Sequence, residues 1–237
     1  MVNTLQLKGI RACVFDAYGT LFDVNAAAAE ESKALGEKWL SLAELWRTKQ
    51  LQYTWLRGLA GRHADFWQLT GDALDFSMQS HGLNDSGLRR RLMDLYLHLG
   101  AYPEAGDTLK QLKASGMHLA ILSNGTPAML SAAVDHAGIT ALLGEVLSVE
   151  EVGVFKPHPS VYQLAVDRMG VRPDEICFVS ANGWDAYSAR AYGLGVVWCN
   201  RFNQAPERIP ERPDGEILTL SELPAIVGTK NDLGADL

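Results

Sequence analysis

The run Ala12-Cys13-Val14-Phe15 is apolar throughout and stops at a carboxylate, Asp16, ahead of a Gly19-Thr20 turn. A short run without polar alternation is the pattern of a strand covered on both faces. Glycine then lets the backbone turn sharply. An acid at the carboxyl end of a buried parallel strand stands where open α/β sheets take their ligands. Taken alone, Asp16 reads equally well as a turn cap. Three further short apolar runs that end in polar residues shift the balance towards a site.

After this strand comes a long stretch with helical signals only. Residues 26–39 are rich in Ala, Glu, Lys and Leu, all good helix formers. Residues 41–59 form the next expected helix, with Ser41 as N-cap and Glu44 completing a capping box. Leu42, Leu45, Trp46, Lys49 and Tyr53 then recur at helical spacing, an amphipathic, aromatic-rich face. Residues 65–81, closed by Gly82, and 86–99, closed by Gly100, supply a third and a fourth helix. Together these predict a helical cap over 23–99, inserted after the first strand.

From residue 101 strands and helices alternate. Helices are expected at 104–114, 126–137, 160–169 and 184–192, and strands at 117–122, 145–149, 175–179, 195–199 and, more weakly, 216–220. Alternation of this kind implies a parallel sheet with right-handed crossovers. The fold class is α/β: a doubly wound, Rossmann-like core from 1–22 and 100–237 carrying the helical cap.

Composition narrows the function. With 47% apolar and 21% charged residues, 237 residues can bury a full core. A net charge of −7 argues against nucleic acid and anionic membranes as partners. Residues 1–4 lack the basic start and long apolar run of a signal peptide, and no apolar run approaches the ~20 residues that span a bilayer. Cys13, Cys177 and Cys199 are odd in number and fall in strand-like runs, so they read as buried thiols in a reducing cytoplasm.

The strand ends and the loops after them bring Asp16, Ser123-Asn124, Lys156 and the segment from Ser180 to Asp185 to one edge of the sheet. Each has an ordinary reading. Ser123-Asn124-Gly125 makes a plain turn, Lys156-Pro157 a solvated lysine before a helix, Asp185 a first-turn acid on a helix dipole, and Arg47 a surface cation. Jointly they supply a nucleophile, a cation to keep it ionised, hydroxyl and amide donors, and a second carboxylate.

These residues carry a resemblance. Asp16-Ala17-Tyr18-Gly19-Thr20, Ser123-Asn124-Gly125, Lys156-Pro157 and Ser180-Ala181-Asn182-Gly183-Trp184-Asp185 resemble, in order, the four motifs of the haloacid dehalogenase superfamily. Phosphatases of that superfamily carry Asp-x-Asp in the first motif and acids near the fourth that hold Mg²⁺. Here Tyr18 and Ser180 occupy those positions. A halide leaving group needs no proton, so the departure resembles the L-2-haloacid dehalogenases. In the cap, Leu45-Trp46-Arg47, Tyr53-Thr54-Trp55-Leu56-Arg57 and Ala64-Asp65-Phe66-Trp67 are similar to that family's cap segments. Thr48 follows the arginine where the family often has Gln, which leaves the pocket's shape and substrate choice open.

The resemblance implies hydrolysis of short L-2-haloalkanoates through an ester on Asp16, without metal or cofactor. It casts Lys156 as the group that keeps Asp16 ionised. Arg47 and Asn124 receive the halide, while Ser123 and the backbone N–H groups from Ala17 onwards hold the substrate carboxylate. Tyr18, Phe66 and Trp184 line the pocket, and Asp185, with Asn182 and Lys156, activates water. Thr20, Tyr162 and Ser180 act as supporting donors. A homodimer is implied. Two alternatives remain open at this level: a Mg²⁺-dependent phosphatase whose motifs have drifted, and a non-catalytic binding protein on the same fold.

Overall fold

In the computed structural model, residues 6–228 are described, so the reading of residues 1–4 lies outside them. The first apolar run is β1 (Ala12–Phe15), buried at every position. The helical stretch follows as α1 (Ala26–Glu30), α2 (Ser32–Leu35), α3 (Trp39–Leu59), α4 (Phe66–Ser80) and α5 (Ser86–Leu97). The core resumes with α6 (Ala105–Ala114), β2 (His118–Ser123), α7 (Pro127–His136), β3 (Glu145–Ser148), α8 (Pro159–Met169), β4 (Ile176–Ser180), α9 (Gly183–Tyr192), β5 (Gly195–Cys199), β6 (Gly215–Ile217) and α10 (Leu223–Val227).

All six strands are parallel, in the order β3-β2-β1-β4-β5-β6. β1 lies between β2 and β4, with Phe15 opposite Ile121 on one side and Val179 on the other. The chain runs outward from β1 through β2 to β3, then returns to start β4 on β1's other flank. That reversal opens a crevice at the carboxyl end of β1, and Asp16 stands in it. Right-handed crossovers put α6 and α7 on one face and α8 and α9 on the other; α8 packs on α9, and α10 on α6.

The chain leaves and re-enters the core at one point. Asp23 N–H donates to Gly100 O at 3.1 Å, Tyr102 N–H to Leu21 O at 2.9 Å, and Phe22 bridges Ala101 antiparallel. The ends of the cap therefore touch.

Several local expectations are corrected. Residues 26–39 are two short helices and a 3₁₀ turn, not one helix, because Gly36 turns the chain with a φ of +57°. That turn, Gly36–Lys38, runs straight into α3, so the helix begins at Trp39 with Lys38 as its cap residue. Ser41 is thus inside the helix and caps nothing; its hydroxyl donates back to Lys38 O and meets His81 Nε2 at 3.0 Å. The buried face of α3 is Leu42, Ala43, Trp46, Gln50 and Thr54, one step round from the expected stripe. Lys49 instead lies over the Phe76 ring at 4.3 Å. α5 ends at Leu97, before Gly100, whose carbonyl serves the cap junction. The last strand stops at Ile217, short of the expected 220, and a short helix, α10, follows it.

Candidate active site

Gly19 takes a φ of +92°, open to glycine without strain, and folds the β1–α1 loop back so that Thr20 faces Asp16. Thr20 donates to Asp16 Oδ2 at 3.1 Å and accepts from Ala181 N–H at 2.8 Å, tying the loops after β1 and β4 together. Asn182 Nδ2 donates to the same oxygen at 2.7 Å. Lys156 Nζ donates to the other, Oδ1, at 3.0 Å, and to Asp185 Oδ2 at 2.8 Å. Tyr162 closes the chain with a 2.8 Å bond from its hydroxyl to Asp185 Oδ1.

This ion cluster is buried: Lys156 is 1% exposed, Asp185 0% and Asp16 6%. Burial by itself would lower the Lys156 ammonium, but Asp16 and Asp185 carry it above its ordinary value. Burial pushes Asp185 up, further than Lys156 pulls it down, and Asp16 adds to the push. Burial, with Asp185 beside it, likewise raises the Tyr162 phenol, which stays a neutral donor.

Two further polar side chains at the strand ends have protons that no described residue takes up. Ser123 Oγ accepts from Gly125 N–H at 3.1 Å, which leaves its own proton uncommitted. Asn124 Oδ1 accepts from the Lys156 backbone N–H at 3.0 Å, and its Nδ2 bonds no protein group among the described residues. Ser180 does not reach Asp16; its hydroxyl accepts from Asn182 N–H at 3.1 Å and so orients that amide. Ala17 contributes backbone: its carbonyl accepts from Thr20, Leu21 and Phe22 and holds the loop.

Cap and core meet over this cluster. Arg47 donates to Tyr18 O at 3.2 Å, to Asn182 Oδ1 at 3.3 Å and to Gln50 Oε1 at 2.9 Å. The Tyr18 ring packs against Phe66 at 5.7 Å and Tyr96 at 5.5 Å, and its buried hydroxyl has no hydrogen-bond partner among the described residues. Burial, with Tyr96 nearby, raises that phenol well above its usual value. Trp184 stands edge-on to Trp55 at 5.3 Å, on a largely apolar cleft of about 670 Å³ whose walls include Thr54, Phe155 and Lys156. Asp16, Arg47 and Asn124 do not line that cleft, so it meets the ion cluster through Lys156 alone.

Gln50, Thr70 and Tyr96 also belong to the site's surroundings but left little trace in sequence. Arg201 does too: it donates to Thr20 O at 3.0 Å and pairs with Glu104 at 2.9 Å. Only Gln50, three residues after Arg47 on a helix, carried a local signal.

Among the described residues no group of three or more His, Cys, Asp or Glu side chains is arranged to hold a metal ion. Asp16 and Asp185 are bridged by Lys156.

A family model described as haloacid dehalogenase-like hydrolase matches residues 10–193. The chain is 48% identical to (S)-2-haloacid dehalogenase 1 of Pseudomonas sp. (strain CBS-3), over 92% of this chain and 96% of that one. It is 45% identical to (S)-2-haloacid dehalogenase 4A of Burkholderia cepacia, over 92% and 95%. Among solved structures, a dehalogenase with an intermediate complex superposes with a TM-score of 0.91 at 43% identity, covering 93% of this chain and 99% of that one. The L-2-haloacid dehalogenase from Xanthobacter autotrophicus with chloropropionic acid covalently bound gives 0.85 at 37%, covering 91% and 97%. Motif order, buried Asp–Lys–Asp cluster and overall likeness agree: this chain belongs to the haloacid dehalogenase-like hydrolases, in the branch of the (S)-2-haloacid dehalogenases.

Proposed function

We propose that the protein hydrolyses short-chain L-2-haloalkanoates to D-2-hydroxyalkanoates and halide, with Asp16 as nucleophile. The observation that carries this is the lysine held between two buried carboxylates at 3.0 and 2.8 Å, beneath an arginine with only neutral partners. Oδ2 of Asp16 accepts two hydrogen bonds and Oδ1 one, so Oδ1 keeps a lone pair for attack.

In the first step Oδ1 attacks C2 in line with the carbon–halogen bond. That bond breaks, its electron pair leaves with the halide, and an ester joins C2 to Asp16. Arg47 and the free Nδ2 protons of Asn124 receive the halide. Ser123 and the backbone N–H groups of Ala17 and Tyr18, which the loop's own bonds leave free, hold the substrate carboxylate, while Tyr18 and Phe66 enclose the rest and Trp184 lines the adjoining cleft. In the second step water attacks the Asp16 carbonyl carbon and loses a proton to Asp185, whose raised basicity suits a general base. The bond between that carbon and the ester oxygen then breaks, and the departing alkoxide takes the proton back to leave as the hydroxyacid. The C–O bond to C2 stays intact, so the stereocentre inverts once. Asn182, Thr20, Ser180 and Tyr162 keep Asp16 and Asp185 in register.

A metal-dependent phosphatase would need cation ligands and a proton donor where Ser180 and Tyr18 stand. The reading further takes residues 23–99 as a cap on a core of 1–22 and 100–237. It takes the protein as a cytoplasmic homodimer, supported by free buried thiols and by exposed Leu40, Trp55, Leu56 and Leu59 on α3. Among the described residues no helix is long and apolar enough to cross a membrane.

The deciding experiment measures halide release from L- and D-2-chloropropionate with and without EDTA, beside phosphate release from p-nitrophenyl phosphate with Mg²⁺. Chloride from the L isomer alone, insensitive to EDTA and abolished by Asp16→Asn, is expected. Mg²⁺-dependent phosphate release without chloride would overturn the reading.

A further inference from the structure

Arg47 brings a guanidinium to the cap–core junction with no carboxylate beside it. Its three acceptors are Gln50 Oε1, Tyr18 O and Asn182 Oδ1, all neutral, and it forms no salt bridge among the described residues. One helical turn from an arginine, the common stabilising partner is an acid. Here the position is filled by an amide, Gln50, which is 1% exposed.

The direction of that amide follows from its neighbours. Thr70 gives its only hydroxyl proton to Phe66 O at 2.6 Å, so at its 2.7 Å contact with Gln50 it must accept. The NH₂ of Gln50 therefore faces Thr70 and the carbonyl oxygen faces Arg47, with the Tyr96 hydroxyl within reach of both, 3.1 Å from Nε2 and 3.2 Å from Oε1. Trp46 Nε1 donates to Thr70 O at 2.9 Å and fixes the helix behind it. A glutamate would present an oxygen where Thr70 needs a donor, so the bundle core is built for the amide.

We propose that Gln50 is a positioning residue for halide departure: it aims Arg47 through a neutral acceptor, leaving the full guanidinium charge for the leaving anion. A carboxylate there would orient Arg47 equally well but cancel its charge in a water-poor site, where such charge acts most strongly. The inference rests on the reading of Arg47 as halide acceptor.

The test compares wild type, Gln50→Glu, Gln50→Met and Arg47→Ala on L-2-chloro- and L-2-bromopropionate, with inhibition by added chloride and thermal midpoints as folding control. Gln50→Glu is expected to lower kcat for the chloro substrate about tenfold. The bromo substrate, which has the better leaving group, loses less; KM moves little and chloride inhibits more weakly. Gln50→Met keeps the charge but frees the guanidinium, so kcat falls on both substrates and chloride inhibition again weakens. It also carries the test should Gln50→Glu fail to fold. Unchanged chloride inhibition in the folded variants, or an equal loss on both substrates in Gln50→Glu, overturns the role of Gln50. If Arg47→Ala is then inactive, the wider reading survives that failure. Arg47→Ala releasing chloride from the chloro substrate at the wild-type rate removes the halide role and this proposal with it.

Discussion

Asn182 Nδ2 lies 2.7 Å from Asp16 Oδ2, the shortest contact the nucleophile makes, and its other amide atom accepts from Arg47. One side chain thus sets both the carboxylate proposed to attack and the guanidinium proposed to receive the halide. A hydrogen bond to a charged group contributes about 1.5–3 kcal/mol. Asn182→Ala should lower kcat by about ten- to a hundredfold with folding intact. Steady-state halide release beside a thermal midpoint checks this; wild-type turnover would show that Asn182 positions neither group.

Lys156→Met leaves Asp16 and Asp185 buried without their shared cation. Removing one partner of a buried ion pair costs about 3–5 kcal/mol. Activity should vanish and the urea midpoint at pH 7 should fall, then recover in part at pH 5 as one acid takes up a proton. A midpoint equal to wild type at both pH values would contradict the electrostatic account.

Activity against pH should be displaced towards alkali. As the proposed base Asp185 must be unprotonated to accept a proton from water, and burial raises it, so the acid limb is expected above the ordinary value of about 4. Lys156 is raised in the fold, so its contribution to stability is whole below about pH 10.4 and is lost only as pH climbs through the higher folded value. A kcat profile that declines already on passing from pH 8 to 9 would count against Lys156 as the alkaline group.

Gly125 faces the Tyr18 ring so closely that an added Cβ would lie 2.8 Å from Cε2 and 3.1 Å from the hydroxyl. Gly125→Ala should displace the ring into the space meant for substrate. KM should rise more for 2-chlorobutyrate than for chloroacetate. Equal effects on the two would mean that Tyr18 does not bound the alkyl side of the pocket.

A single turnover in ¹⁸O-water, with enzyme in excess, should place the label in the Asp16 carboxylate and leave the 2-hydroxyacid unlabelled. Label in the product after that one turnover would mean direct attack of water on C2.

The clustered polar groups were legible because each sits at, or just past, the end of a short apolar strand, where composition changes abruptly. Asp16, Ser123, Asn124 and Asp185 need only the sheet to bring them together, and parallel order follows from strand–helix alternation. What stayed hidden depends on helices far apart in the chain. Tyr96 meets Tyr18 and Gln50 only after α5 packs beside α3, and Arg201 reaches Thr20 from beyond β5. Ser41 misled for a local reason: Ser-x-x-Glu caps a helix only where the backbone ends, and the 3₁₀ turn before Trp39 carries the helix past it.

The touching ends of the cap, at Leu21–Tyr102 and Asp23–Gly100, bear on how the chain folds. β1 pairs with β2 at the centre of the sheet, yet the whole cap lies between them in sequence. Drawing the two strands together across a disordered loop of that length carries a chain-entropy penalty that grows with the logarithm of the loop. A cap that condenses first through its own local helix contacts brings its ends side by side and removes much of that penalty. The central strand pair then forms after the cap, and pulsed hydrogen exchange during refolding should find α3 and α4 amides protected no later than those of β1 and β2. Protection of β1 and β2 ahead of the cap would reverse the order. The helical module that packs over Asp16 is thereby also the one that lets the sheet find its register.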